Sequence, residues 1–312
     1  MTWRRVALVV AALGCTKAEA ERSAAEAGRV AAGTPGRDTA HATSPAPAPD
    51  AGPGAPARSP FRIPDESEVQ DTALLASIRR GRALLRHTRD SLPHHVGNAL
   101  VCTNCHLQDG TRQHGMSWVG VYARFPQYRS RAGTTQLIED RINDCFKRSL
   151  NGRPLAPESR DMRDIVAYMA FLSTGYPVGR ETEGQGLPRL ETLPGDTVRG
   201  ARVFAARCAR CHGVSGGGSR TAPPVWGARS YNIGAGMARV RTAAAFVQRW
   251  MPQDSTGVLT PQEAFDVAQY IDSRPRPDFR GKEKDWPHGD PPPDVAYATD
   301  AARAKAKASA RR

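Results

Sequence analysis

The sequence offers no apolar run long enough to cross a bilayer. The apolar stretch near its start, Val6–Gly14, has nine residues, well short of the roughly 20 that a spanning helix needs. No strand-like alternation stands out, so neither a β-sandwich nor a barrel is signalled. The last eleven residues, 302–312, contain no acid, although they hold Arg303, Lys305, Lys307, Arg311 and Arg312. The six cysteines do not have zinc-site spacing, since 102 residues lie between Cys105 and Cys208. A βαβ frame that would make a Cys-x-x-Cys pair thioredoxin-like is also missing.

What is present begins with an export signal. Arg4 and Arg5 precede the apolar stretch, and Cys15 follows Gly14 directly. Residues 1–15 therefore read as a signal peptide with two cleavage readings. In one, Cys15 becomes the lipidated first residue and anchors the protein to a membrane; in the other, an ordinary signal peptidase cuts a few residues later. Both lead to the periplasm. Residues 16–63, which include TSPAPAPDAGPGAPARSP, cannot bury a core and are expected to be a disordered tether. The formal net charge is +13. It is assigned to a solvated tail and to arginines that meet anionic ligands, not to nucleic acid.

Two similar helical units follow, at 64–176 and 196–276, joined by a linker at 177–195. Gly81 and Leu85 stand one helical turn apart before Cys102; Gly200 and Phe204 repeat this before Cys208. A glycine on a helix face admits a second helix closely. The first unit ends in the i, i+3, i+4, i+7 stripe Ile165, Tyr168, Met169 and Leu172, and the second in Val267, Tyr270 and Ile271, opened by Thr260, Pro261 and Glu263 as cap, first-turn proline and N3 acid. Asp164-Ile165-x-x-Tyr168-Met169 aligns with Asp266-Val267-x-x-Tyr270-Ile271. The fold class expected is mainly α, with two similar helical domains in tandem. Residues 277–312 are expected as an extended basic tail that wraps the surface and frays.

Each unit carries Cys-x-x-Cys-His, at Cys102, Cys105 and His106 and at Cys208, Cys211 and His212. The two thiols form thioethers to haem vinyl groups and the histidine gives iron an axial nitrogen. Two covalently bound haem c groups are expected, held in two class I cytochrome c-like domains in tandem. For the second, Met251 lies 39 residues after His212 and precedes Pro252, which favours an extended, loop-presented ligand; Met237 is the competitor. The same step of 39 from His106 reaches Cys145, not a methionine. Met116 is only ten residues from His106, and Met162 and Met169 suit a helix core. His114 and the His94–His95 pair match nothing in the sister unit. The first haem is therefore read as His106/Cys145 ligated. A thiolate ligand lowers the reduction potential and is itself a nucleophile. Arg129, Arg131, Arg141, Lys147, Arg148 and Arg153 surround Cys145 in sequence, with Ser149 and Asn151 as neutral donors. Guanidinium forks bind oxyanions, and haem propionates would claim some of them.

These residues resemble the di-haem thiosulfate dehydrogenases, which also act as tetrathionate reductases. The likeness runs in order over roughly 70–280, through GNALVCTNCHLQDGT, the string Arg-Ile-Asn-Asp-Cys-Phe-x-Arg-Ser-x-Asn-Gly around Cys145, PPVWGARSYNIGAGMAR and RWMPQDSTGVLTPQEAFDVAQYI. The resemblance implies that Cys145 ligates the first haem and carries a sulfur adduct. It implies substrate-pocket roles for Arg131, Arg141 and Ser149, and ligation of the second haem by Met251. It further implies joining of two thiosulfates into tetrathionate, or the reverse, with electrons passing to a soluble or membrane-bound cytochrome. Some members have lysine before that methionine and exchange ligands; Trp250 here argues against such exchange. Rival readings are a non-enzymatic electron-transfer cytochrome, which needs no thiolate and no anion pocket, and another sulfur-oxidising cytochrome whose cysteine holds a persulfide. A di-haem peroxidase would need bridging insertions that the sequence does not suggest.

Overall fold

A close helix crossing, used twice, sets the architecture. The computed structural model describes residues 57–310; the signal segment, Cys15, most of the tether and the last two residues of the tail lie outside the described residues. The first half contains α1 (Thr72–Arg86), the single turn α2 (Thr88–Ser91), α3 (Ile138–Arg148) and α4 (Arg160–Phe171). The second contains α5 (Thr197–Val203), α6 (Ala209–His212), α7 (Val240–Trp250) and α8 (Pro261–Asp272), with a π-type turn at Phe204–Cys208 joining α5 to α6. A last helix, α9 (Asp300–Ser309), follows.

The starts of these helices are written in matched side chains. Asp71 accepts from the Ala73 and Leu74 amides to open α1, and Asp196 accepts from Val198 and Arg199 to open α5. Ser159 caps α4 and Thr260 caps α8, the latter in a capping box with Glu263. α1 then packs on α4, and α5 on α8. A β-carbon placed on Gly81 would lie 1.9 Å from the Asp164 carbonyl oxygen, and one on Gly200 would lie 2.0 Å from that of Asp266. Each aspartate also binds the glycine-bearing helix by its carboxylate, Asp164 through Ser77 and Arg80, Asp266 through Arg199 at 2.7 Å. Leu85 and Phe204, one turn beyond each glycine, are buried as expected. The duplication is thus carried by backbone contact as well as by sequence.

The chain departs from expectation at three places. A hairpin of β1 (Gln127–Arg129) and β2 (Thr134–Gln136) stands between α2 and α3; strands of three residues are too short to show alternation. The segment 177–195 has little regular structure but is pinned. Thr182 forms a bridge with Ser59, the Gln185 side chain donates to the Val119 carbonyl, and Leu190 and Leu193 pack against Ala243 and Phe265 among others. The Ser59 bridge, with the Arg62 amide donating to the Tyr176 hydroxyl at 2.6 Å, also ties residues 57–63 to the first half.

The third departure is the C-terminal segment. It wraps the surface as expected but is anchored, and its end is helical where an extended tail was expected. Thr299 caps α9, whose alanines and lysines favour the helix. Upstream, Asp285 receives both terminal nitrogens of Arg148 at 2.8 Å, and the Tyr297 hydroxyl donates to it at 2.6 Å. Trp286 is buried beside them. The pair is buried on both sides, so Asp285→Asn, which keeps the shape and removes the charge, is expected to destabilise the haem-loaded protein by about 2 kcal/mol. Denaturant titration read at the tryptophans measures this; an unchanged midpoint would show that the strap contributes nothing to folding.

Candidate functional site

The site is built on α3. Ile138, Ile142 and Phe146 form its buried stripe. Arg141 and Cys145, one turn apart, share the neighbouring face, as i, i+4 geometry requires. An Arg141 terminal nitrogen donates to the Cys145 sulfur at 2.9 Å. Burial would raise the Cys145 thiol, but the Arg141 charge and the nearby His106 imidazole overcome it and bring the thiol down to about 6. Ser149 ends the helix, its carbonyl held by the Asn98 side chain at 2.8 Å.

Cys145 lines two adjoining cavities of about 390 and 300 Å³. The larger brings together Cys102, Cys105, His106, Cys145, Arg131, Arg141 and Ser149, so every residue expected at the first site faces one space. Of the basic residues near Cys145 in sequence, Arg129 and Arg148 also line it, whereas Lys147 pairs with Asp144. The smaller cavity shares His106, Arg129, Arg141 and Cys145 and adds Arg124, Gln127 and Gln185. Cys102 lies in a short turn whose amide is held by the fully buried Thr88, and burial pushes the Cys102 and Cys105 thiols up to about 12.

Both motif histidines are oriented alike. The His106 Nδ1 lies 2.5 Å from the Met116 carbonyl, and the His212 Nδ1 lies 2.7 Å from that of Pro223. Bonding at Nδ1 leaves Nε2 free to ligate, the usual outer-shell arrangement of a metal-bound histidine. The His106 ring also stacks on Trp118, with centroids 4.6 Å apart. Met116 therefore serves through its backbone. Met162 and Met169 are core residues, as expected. His95 bonds the carbonyls of Arg153 and Pro154 through Nδ1, away from the cavities.

The two methionines considered for the second site part company. Met251 packs in the cluster of Phe204, Cys208, Val247, Leu259, Val267 and Ile271, beside the second motif. Met237 lines the larger cavity at the first site. Trp250, next to Met251, donates its indole N–H to the His114 carbonyl at 2.8 Å and lies under Arg112. The loop presenting Met251 is thereby tied to the loop that follows the first motif.

Several cavity residues escaped the sequence reading, among them Trp118, Tyr128 and Gln136 in the first half, Arg239 from the start of the second half's α7, and Trp286 and Pro292 from the C-terminal strap. Trp286 stacks on Arg131 at 4.6 Å, and its amide donates to the Arg131 carbonyl at 2.9 Å. The signal available was a lone tryptophan in a polar, proline-rich stretch, which gave no hint of its partner.

The thiol-and-imidazole cluster around the cavities of the first half fits a covalently held porphyrin there, and the second half repeats the motif with His212 oriented alike. Comparison with known families agrees. The SoxA/TsdA cytochrome c domain description matches residues 95–178 and the cytochrome c description matches 197–275. The molecule is a di-haem c-type cytochrome, with two cytochrome c domains in tandem.

The chain is 42% identical to a thiosulfate dehydrogenase of Psychrobacter arcticus over 242 residues, covering 75% of this chain and 74% of that one. It is 44% identical to the Allochromatium vinosum enzyme of that name over 230 residues, covering 70% and 85%. Among solved structures it resembles the thiosulfate dehydrogenase TsdBA of Marichromatium purpuratum in its as-isolated form, with a TM-score of 0.68 and 36% identity, over 72% of this chain and 51% of that one. The chain thus spans about half the length of that structure. It belongs to the thiosulfate dehydrogenase family.

Proposed function

We propose that this chain oxidises thiosulfate to tetrathionate, 2 S₂O₃²⁻ → S₄O₆²⁻ + 2 e⁻, or runs the reverse. The observation that carries this reading is the Cys145 sulfur, held by Arg141 at 2.9 Å in the same cavity as Cys102, Cys105 and His106. In it, Cys102 and Cys105 would attach the first haem, and His106 and Cys145 would hold its iron. Cys208 and Cys211 attach the second, with His212 and Met251 as its ligands. When bound, the two haems would supply a pair of one-electron acceptors.

The chain's own residues supply the rest. Two thiosulfate dianions repel one another strongly at contact, most of all where water is excluded. Arg129, Arg131 and Arg141 converge on the cavity and offset that repulsion, with Ser149 as a neutral donor. Cys145 is the sulfur that meets the substrate. A plain electron carrier would gain nothing from a cavity lined by arginines and a depressed thiol.

The position of Met251 supports it over Met237. Met251→Ala is expected to convert the second haem's spectrum from low to high spin, while Met237→Ala leaves that spectrum unchanged; the opposite pattern would reassign the ligand. The remaining steps follow from the sequence: export to the periplasm through residues 1–15, with Cys15 as the site of any lipid anchor, and a cytochrome as electron acceptor. Among the described residues no helix is long and apolar enough to cross a membrane. The direct test is thiosulfate-dependent reduction of an artificial one-electron acceptor by the haem-loaded protein, together with tetrathionate-dependent oxidation of a reduced dye. Activity in either direction is expected; none in both directions rejects the enzyme reading.

A further inference from the structure

We infer that Trp250 is a positioning residue for the second haem site: its indole N–H, given to the His114 carbonyl, locks the loop that presents Met251 to the loop that orients His106. This rests on the reading in which His106 and Met251 would each hold an iron, and extends it. Met251 is then kept in place by the first half of the chain as well as by its own domain.

Met251 needs an anchor from outside its own loop. It follows α7 directly and has left the helix, with φ −121° and ψ 142°. Its amide still donates to the Val247 carbonyl at 2.9 Å, but the chain then runs to α8 through residues 252–259 with slight polar support. Arg210 pairs with Asp254 at 2.7 Å, yet both side chains are more than half exposed, and such pairs hold little. The Gln248 side chain reaches the Leu259 carbonyl only at 3.5 Å, the far limit of a hydrogen bond. Packing among Phe204 and its neighbours is non-directional and does not fix a sulfur at one point. Trp250 is different. It is buried, its N–H bond is 2.8 Å long, and its ring meets the Arg112 guanidinium at 4.7 Å and that of Arg249 at 5.4 Å.

The partner loop is rigid enough to serve as that anchor. Gln108, Asp109, His114 and Met116 have φ between 52° and 61°, a left-handed conformation that side-chain-bearing residues keep only where their neighbours over-determine it. The neighbours do so. The Leu107 amide donates to the Gly115 carbonyl at 3.1 Å, the Gly115 amide to that of Arg112 at 3.0 Å, and the Trp118 amide to that of Gly110 at 2.7 Å. The Tyr168 hydroxyl donates to the Asp109 carbonyl at 2.8 Å. His114 stands at the crossing: its amide donates to the Gly184 carbonyl of the linking segment at 2.6 Å, and its carbonyl accepts from Trp250. Two residues on, the Met116 carbonyl meets the His106 Nδ1 at 2.5 Å. One cross-bonded loop and one indole bond thus join the residues proposed as iron ligands in different halves of the chain.

The test is an imidazole titration of the oxidised, haem-loaded Trp250→Phe and Arg112→Ala proteins, followed at the methionine-to-iron absorption band of the second haem. Imidazole takes the iron only when the methionine has moved off it, so its apparent affinity reports how often the loop opens. Phenylalanine keeps an aromatic face for both arginines and removes the N–H. The expected result in Trp250→Phe is an imidazole affinity raised roughly fivefold, the usual worth of one hydrogen bond, with the first haem's thiolate resonance signal unchanged. Arg112 is exposed and belongs to the first half; its loss should raise the affinity about twofold through the missing contact with the indole face. A tryptophan that merely packs within its own domain would leave the Arg112→Ala affinity as in wild type, and that result overturns the inference, as does an unchanged affinity in Trp250→Phe. If Trp250→Phe does not load haem, Arg112→Ala decides alone. Failure of the parent reading is distinct: the methionine band is then absent from the wild-type protein, or it persists in Met251→Ala.

Discussion

Cys145→Ser is expected to lower thiosulfate-dependent acceptor reduction by about 10³-fold or more while the protein still folds and loads both haems. The expected loss is large because one atom serves two purposes. As the proposed iron ligand, a thiolate would donate electron density that a serine hydroxyl cannot match. As the group that meets substrate sulfur, a thiol held down to about 6 is largely ionised at neutral pH, against the pull of burial, because Arg141 and His106 face it. A serine hydroxyl in that place stays protonated, and Arg141 loses its anionic partner. The side chain is half-buried on α3 and nearly isosteric with serine, so the helix and its stripe of Ile138, Ile142 and Phe146 remain. Electron-spin resonance should show the low-spin thiolate signal disappear while the second haem's signal persists. Retention of more than about one-tenth of wild-type activity would remove Cys145 from the chemistry, and an unchanged resonance spectrum would remove it from the iron.

The features readable in the sequence were those whose physics depends on residue type at short range. A helix cap needs Asp, Ser or Thr, and Thr260 reads as one, while Asp71, Ser159 and Asp196 cap the other paired helices by the same rule. A close helix crossing needs glycine, which made Gly81 and Gly200 visible. Counting 39 residues from each motif histidine picked out Cys145 opposite Met251, and the structure sets Cys145 beside Arg141 in the cavity with the first motif. Counting could not place Met237, which the turn at Gly236–Ala238 brings to the first site's cavity although it lies in the second half of the chain. Arg239 and Trp286 were illegible for the same reason. Trp286 meets Arg131, 155 residues away in sequence, Arg239 faces a cavity built mainly from the first half, and neither sits in a periodic pattern that would reveal a face. The strap's buried ion pair, Arg148 with Asp285, joins positions 137 apart; composition showed only that the segment is polar.

Gly81→Val is expected to destabilise the haem-loaded protein by about 4 kcal/mol, at the upper end of overpacking effects. The reason is that the obstacle is backbone. A β-carbon at this position would lie 1.9 Å from the Asp164 carbonyl oxygen and 2.5 Å from its carbon, and neither can swing aside as a flexible side chain would. α1 and α4 must separate instead. Separation loosens the Ser77 and Arg80 bonds to the buried Asp164 carboxylate, and it opens the packing of Ile78 and Leu85 against Ile165 and Tyr168. Helix propensity works in the opposite direction, since glycine is worse than valine in a helix interior by only a few tenths of a kcal/mol, too little to offset the clash. Gly200→Val meets the Asp266 carbonyl at 2.0 Å and should behave alike in the second half. Gly186→Ala, which meets nothing within 4 Å, is the control and should change stability by less than about 0.5 kcal/mol. Denaturant midpoints of the three haem-loaded variants, compared with wild type, test the crossing directly. Equal small effects at all three positions would mean that the helices can part without cost, and that the glycine shared by the two domains is not what holds each helix pair together.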